Sequence, residues 1–113
     1  LSAKSSAWRD LLTDEDREDL KLREAIGDCC CQFFDADGKI LKGSLYERTV
    51  SAKLEQIKEA PYAVGVARGK EKSRSILAVL KRKFVNVLLT DEHTAIAVLK
   101  AAKDPNWKKY AKN

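Results

Sequence analysis

Apolar residues in this chain come in short bursts separated by charged stretches, and the spacing inside each burst changes along the sequence. Leu1–Ser6 is a small, hydroxyl-rich lead-in that reads as loop, followed by a first apolar group of Trp8, Leu11 and Leu12. Thr13 and Asp16 match a capping box, and Asp14, Glu15 and Asp16 place negative charge where a helix dipole favours it, so a helix is predicted from Thr13 to about Glu24. Gly27 closes that region. The run CCCQFFDADGKIL, residues 29–41, holds Asp37-Gly38 between two apolar segments, which is the pattern of a β-hairpin with its cysteines as buried strand thiols. Gly43–Ser51 reads as a weaker extended segment, and Ala52–Glu59, with Leu54 and Ile57, as a short helix stopped by Pro61.

The stretch AVGVARGKEKSRSILAVL, residues 63–80, carries the sharpest change of period. Val64 and Val66 alternate with Gly65 and Ala67 as in a short buried strand, and Gly69 ends it. From Lys70 onward Ser73, Ile76, Leu77, Leu80 and Phe84 recur at helical spacing, while Lys72, Arg74, Lys81 and Lys83 fall largely elsewhere. Phe84–Thr90 is a second β-branched run, predicted to lie parallel to the first through a right-handed crossover in a sheet covered on both faces. Thr90 or Asp91 then caps a helix carrying Ile96, Val98 and Leu99. The fold class expected is α/β: a Rossmann-like parallel sheet with flanking helices, plus a β-hairpin. Residues 1–103 are expected to form the domain portion and 104–113 a basic C-terminal tail whose Trp107 packs back.

With 113 residues, 44% of them hydrophobic, the chain has the size of one domain or part of one. It begins at Leu1 and contains no methionine, so it is expected to be a piece of a longer protein. The net charge of +5 comes from 22 basic and 17 acidic residues mixed along the sequence, and the aromatic residues are not interleaved with the lysines. This argues against direct nucleic-acid contact by these residues, and no apolar run is long enough to cross a membrane. Cys29, Cys30 and Cys31 are contiguous and lack metal-ligand spacing, and the acidic residues near Gly38 do not match a calcium loop. No metal and no cofactor is expected, and a reducing, cytoplasmic setting is.

Candidate chemistry centres on Gly69. A strand entering a helix through a glycine turn leaves backbone N–H groups at the positive end of the helix dipole, with Arg68, Lys70 and Lys72 nearby, which suits a phosphate. The other reading is a plain strand-to-helix turn with solvating lysines. A nucleotide phosphate loop is ruled out, because Gly65 and Gly69 enclose three residues and Glu71 follows Lys70. His93 has no Cys, Ser or acid at triad or metal spacing and reads as a surface or capping residue.

Three motifs, AIGDCCCQFFDADG at 25–38, AVGVARGKEKSRSILAVL at 63–80 and VNVLLTDEHTAIAVL at 85–99, together resemble the C-terminal part of the effector-binding domain of SorC/DeoR-type bacterial transcriptional regulators. The resemblance covers nearly the whole chain. It implies the sugar-isomerase and CoA-transferase-like α/β fold, a phosphorylated sugar as effector and no catalysis. It also implies that Asp28 accepts hydrogen bonds from sugar hydroxyls, that Gly69 and Lys72 meet a phosphate, and that Arg9 supplies a second contact. Arg68 stands where the family has the first of two glycines, so it either adds a phosphate contact or blocks the pocket. Tyr46-Glu47-Arg48 replaces a more usual Asn-containing stretch. A homo-oligomer is implied, with DNA bound only through a helix-turn-helix domain outside these residues. Two alternatives are an oligomerisation fragment without a ligand site and a sugar-phosphate isomerase-like enzyme, the latter needing a positioned acid and base.

Overall fold

The structure is a computed structural model and describes Trp8 and residues 10–111. Its elements run α1 (Asp14–Leu22), β1 (Gly27–Cys29), β2 (Gln32–Phe34), α2 (Ser44–Glu47), α3 (Leu54–Lys58), β3 (Val64–Val66), a 3-10 turn (Lys70–Lys72), α4 (Ser73–Lys81), β4 (Val87–Leu89), α5 (Glu92–Ala101) and α6 (Trp107–Tyr110). They make an α/β structure with two small sheets, an antiparallel β1–β2 hairpin and a parallel β3–β4 pair.

Local signals set the helix starts. Thr13 caps α1 with both halves of the capping box in place: the Asp16 N–H donates to Thr13 Oγ1, and the Thr13 N–H donates to Asp16 Oδ2. Of the two candidates for the later helix, Asp91 is the cap, its Oδ1 accepting from the Thr94 N–H at 2.7 Å. The predicted parallel pairing is present, with Val64 opposite Val87, Gly65 opposite Leu88 and Val66 opposite Leu89. Asn86 locks the entry to this pair, accepting from the Ala63 N–H and donating to the Pro61 carbonyl.

Four expectations are corrected. The β1–β2 hairpin turns at Cys30-Cys31, not at Asp37-Gly38. Both cysteines lie at positive φ, 50° and 61°, which is the handedness a two-residue hairpin loop needs to match strand twist. Cys30 and Cys31 are therefore exposed turn residues, and Cys29 alone is half-buried. Asp37-Gly38 instead makes a second turn, in which Asp35 Oδ1 accepts from the N–H groups of Asp37 and Lys39, and it leads only to a single bridge between Phe34 and Ile40. The segment expected to be extended after Gly43 contains helix α2. One turn of helix is too short to declare itself by period. It is tied down by the long-range contact of Arg48 to Asp16 and by Lys53 Nζ over the Tyr46 ring at 4.0 Å.

The fourth correction concerns β3 and β4. Val64, Val66, Val87 and Leu89 share one face of the parallel pair, and that face is open, with Val66 74% and Leu89 62% exposed. The expected cover on both faces requires chain to lie on each. Among the described residues none buries this one. The core lies elsewhere: Ile40, Leu54 and Phe84 form one cluster with Cys29, Tyr46, Ile57 and Val79 packed around it. Buried Gln32 ties the hairpin to α3, donating to the Ala52 carbonyl and accepting from the Leu54 N–H.

Candidate functional site

The β1 strand approaches the N-terminal turn of α4 closely enough that a Cβ on Gly27 would lie 2.7 Å from Ser75 Oγ, and Ser75 donates to the Ile26 carbonyl at 2.7 Å. A glycine at this position lets the two elements meet. Where they diverge, a cavity of ≈ 430 Å³ opens between the hairpin, β3 and the start of α4. Its base is apolar, made by Ile26, Phe34, Ile76, Val79, Val85 and Leu88, and its polar groups are Asp28, Glu71, Lys72 and Ser75. An apolar floor with a few converging polar groups is the usual form of a small-molecule site.

Asp28 and Lys72 are 44 positions apart in sequence, and the fold brings both to this cavity. Asp28 is held by Trp8, whose indole N–H donates to Asp28 Oδ2 at 3.1 Å while its ring packs on Phe33 with centroids 5.2 Å apart. Lys72 has no ion pair among the described residues.

The remaining candidates are placed differently. Gly69 does sit in the conformation that favours glycine, at φ 116°, but it does not line the cavity, and its N–H is already donated to Thr94 Oγ1 at 2.9 Å. Arg68 points away and pairs with Asp91, Nε to Oδ2 at 3.2 Å, with its side chain 88% exposed. The backbone N–H and the hydroxyl of Thr94, and then the Arg68 charge, keep the Asp91 carboxyl below the ordinary carboxylate range. Arg9 lies outside the described residues. His93 is exposed on the first turn of α5, away from the cavity.

Sequence reasoning missed Trp8, Ser75 and Glu71. Nothing local marks Trp8 or Ser75, since each acts through a partner at least 20 residues away. Glu71 did carry a signal, standing between Lys70 and Lys72 where a phosphate site would avoid an acid. Cys29 borders the cavity as well, and burial, then the neighbouring Cys30 and Asp28, push its thiol pKa up to about 12. It is therefore a protonated apolar wall and no nucleophile. No cluster of metal-ligating side chains occurs among the described residues, and no described helix is long and apolar enough to cross a membrane.

Residues 1–100 match the family model described as "Putative sugar-binding domain". The sorbitol operon regulator of Klebsiella pneumoniae is 33% identical over 82% of this chain and 30% of its own length. The deoxyribonucleoside regulator of Bacillus subtilis is 36% identical over 76% of this chain and 28% of its own. The crystal structure of a transcriptional regulator from Streptococcus pneumoniae superposes with a TM-score of 0.79 at 41% identity, covering 86% of this chain and 37% of that one. The chain thus spans about a third of the length of the relatives it matches. With the family model matched over 100 of 113 residues, the chain belongs to the sugar-binding domain family of SorC/DeoR-type transcriptional regulators.

Proposed function

We propose that this chain is the effector-sensing part of a cytoplasmic bacterial transcriptional regulator and that the cavity beside Asp28 and Lys72 receives a phosphorylated sugar. The observation that carries the reading is the convergence of the Asp28 carboxylate and the Lys72 ammonium, which has no ion pair among the described residues, on an apolar-floored cavity of ≈ 430 Å³. Asp28, oriented by Trp8, accepts hydrogen bonds from sugar hydroxyls; Lys72 supplies a charge-assisted contact to the phosphate. Gly69 contributes by shaping the turn that delivers Lys72, and Arg68 lies outside the binding contact, engaged with Asp91. Binding shifts the oligomer interface and, through it, the DNA-binding part of the regulator. The 104–113 segment is read as a tail accessory to this domain.

The test is a thermal-shift and calorimetric screen of the chain against sugar mono- and bisphosphates, with free sugars and inorganic phosphate as controls. A ligand binding only the folded state stabilises it by about 2.7 kcal/mol at a hundredfold excess over Kd. Loss of that gain in Lys72→Ala supports the assignment. Unchanged phosphosugar affinity in Lys72→Ala rejects it.

A second reading is an oligomerisation segment without a ligand. The open apolar face of Val64, Val66, Val87 and Leu89 favours it, since such a face seeks cover. It predicts cooperative folding with no response to any member of the screen.

A further inference from the structure

The charges facing the cavity limit how much negative charge a ligand can bring to it. Lys72 is the one cationic side chain among the lining residues, and Asp28 and Glu71 are both acidic. Arg68, four positions before Lys72, pairs with Asp91 and is not among the lining residues. The Glu71 side chain folds back over the glycine turn: a Cβ built on Gly69 would meet Glu71 Oε1 at 2.2 Å and Oε2 at 2.8 Å. Its carboxylate therefore rests beside the turn, one residue before Lys72, and both side chains line the cavity.

We propose that Glu71 determines specificity in this pocket: its carboxylate lines the cavity next to Lys72, the one lining ammonium, so the pocket takes a sugar with one phosphate and rejects a bisphosphate. This rests on the sugar-phosphate reading above. One ammonium offsets one phosphate only in part, and a second carboxylate lining the same cavity adds like-charge repulsion that grows with each further negative charge on the ligand. Glycine at 69 is needed for its φ of 116°, and the movable Glu71 carboxylate rests against it. Asp28, at the hairpin side of the cavity, remains available for hydroxyls, so the recognition is divided into a polyol end and a singly anionic end.

The experiment is calorimetric titration of wild type, Glu71→Gln and Lys72→Ala with two matched series: fructose, its 6-phosphate and its 1,6-bisphosphate, and ribose, its 5-phosphate and its 1,5-bisphosphate. Glutamine keeps the size and a hydrogen-bond acceptor while removing the charge. Wild type is expected to prefer the monophosphate, and Glu71→Gln to raise the ratio of bisphosphate to monophosphate affinity about tenfold. Binding that needs Lys72 but shows the same ratio in wild type and Glu71→Gln overturns the role of Glu71 and leaves the sugar-phosphate reading standing. Binding of either series unaffected by Lys72→Ala, or no binding to any member, overturns both. Glu71→Ala, compared by thermal melting, separates a charge effect from a loss of packing on Gly69.

Discussion

The indole N–H of Trp8 holds Asp28 Oδ2 at 3.1 Å across 20 residues of sequence. An aspartate on a short strand is thereby given one orientation at the rim of the cavity, and the tryptophan that orients it is anchored on Phe33, which is 3% exposed. Trp8→Phe preserves an aromatic face for Phe33 and removes the donor. It is expected to weaken sugar binding about tenfold, the scale of one lost hydrogen bond to a charged group, while the melting temperature changes little. Calorimetry on the two proteins checks this; equal affinities would mean that Asp28 needs no such support.

Asp16 links α1 to the segment after α2. The Arg48 guanidinium, then the backbone and hydroxyl of Thr13, hold its carboxyl below the ordinary carboxylate range against the opposing effect of burial. A carboxyl whose folded pKa is depressed contributes stability above its unfolded pKa of about 3.9, and that contribution is lost as pH falls from there through the folded value. Asp16→Asn should be less stable than wild type at pH 7, with the difference shrinking below about pH 4. Urea unfolding at pH 7, 5 and 3 measures it.

Thr13→Ala removes the hydroxyl half of the same cap. It should lower stability by about 1 kcal/mol. Thr13→Asn, retaining a cap acceptor, should recover most of the loss in the same unfolding assay.

The Cys30-Cys31 turn holds two non-glycine residues at positive φ, a conformation costing about 1 kcal/mol or more at each. Replacing the pair by Asn-Gly should raise stability by about 1 kcal/mol, because both side chains are exposed and leave no cavity. Under native conditions at neutral pH, iodoacetamide should label Cys30 and Cys31 before Cys29, whose thiol pKa is pushed up to about 12. Peptide mass spectrometry resolves the order.

The open face of β3–β4 should make the isolated chain self-associate, since four apolar side chains in register present a flat β surface. Val64→Lys with Leu89→Lys changes two of them while leaving the ladder hydrogen bonds intact. Sedimentation velocity should show the variant shifted toward monomer; an unchanged distribution would locate association elsewhere.

Legibility followed the range of each signal. The Thr13–Asp16 box and the Asp91 cap lie within four residues of what they bind, so the first is legible outright and the second is narrowed to Thr90 or Asp91. The β3–β4 pairing followed from two β-branched runs around a helix. Asp37-Gly38 carries the stronger local preference for the hairpin turn. The register Asp28 to Phe33, however, keeps Phe33 and Phe34 buried and forces the loop onto Cys30-Cys31. Helix α2 was invisible for lack of a second turn.

For the site, the sequence determined the chemistry available: a carboxylate at 28, a glycine turn at 69 and an ammonium at 72. Composition and spacing are one-dimensional, and they suffice to say which groups the chain owns. Tertiary structure alone decided which of them meet. Packing of Gly27 against Ser75 brings Asp28 and Lys72 to one cavity, the Asp91 carboxylate draws Arg68 out, and the flexible Glu71 side chain folds onto Gly69. These outcomes depend on distances between residues far apart in sequence and on which partner wins each charge, and neither is encoded in local pattern.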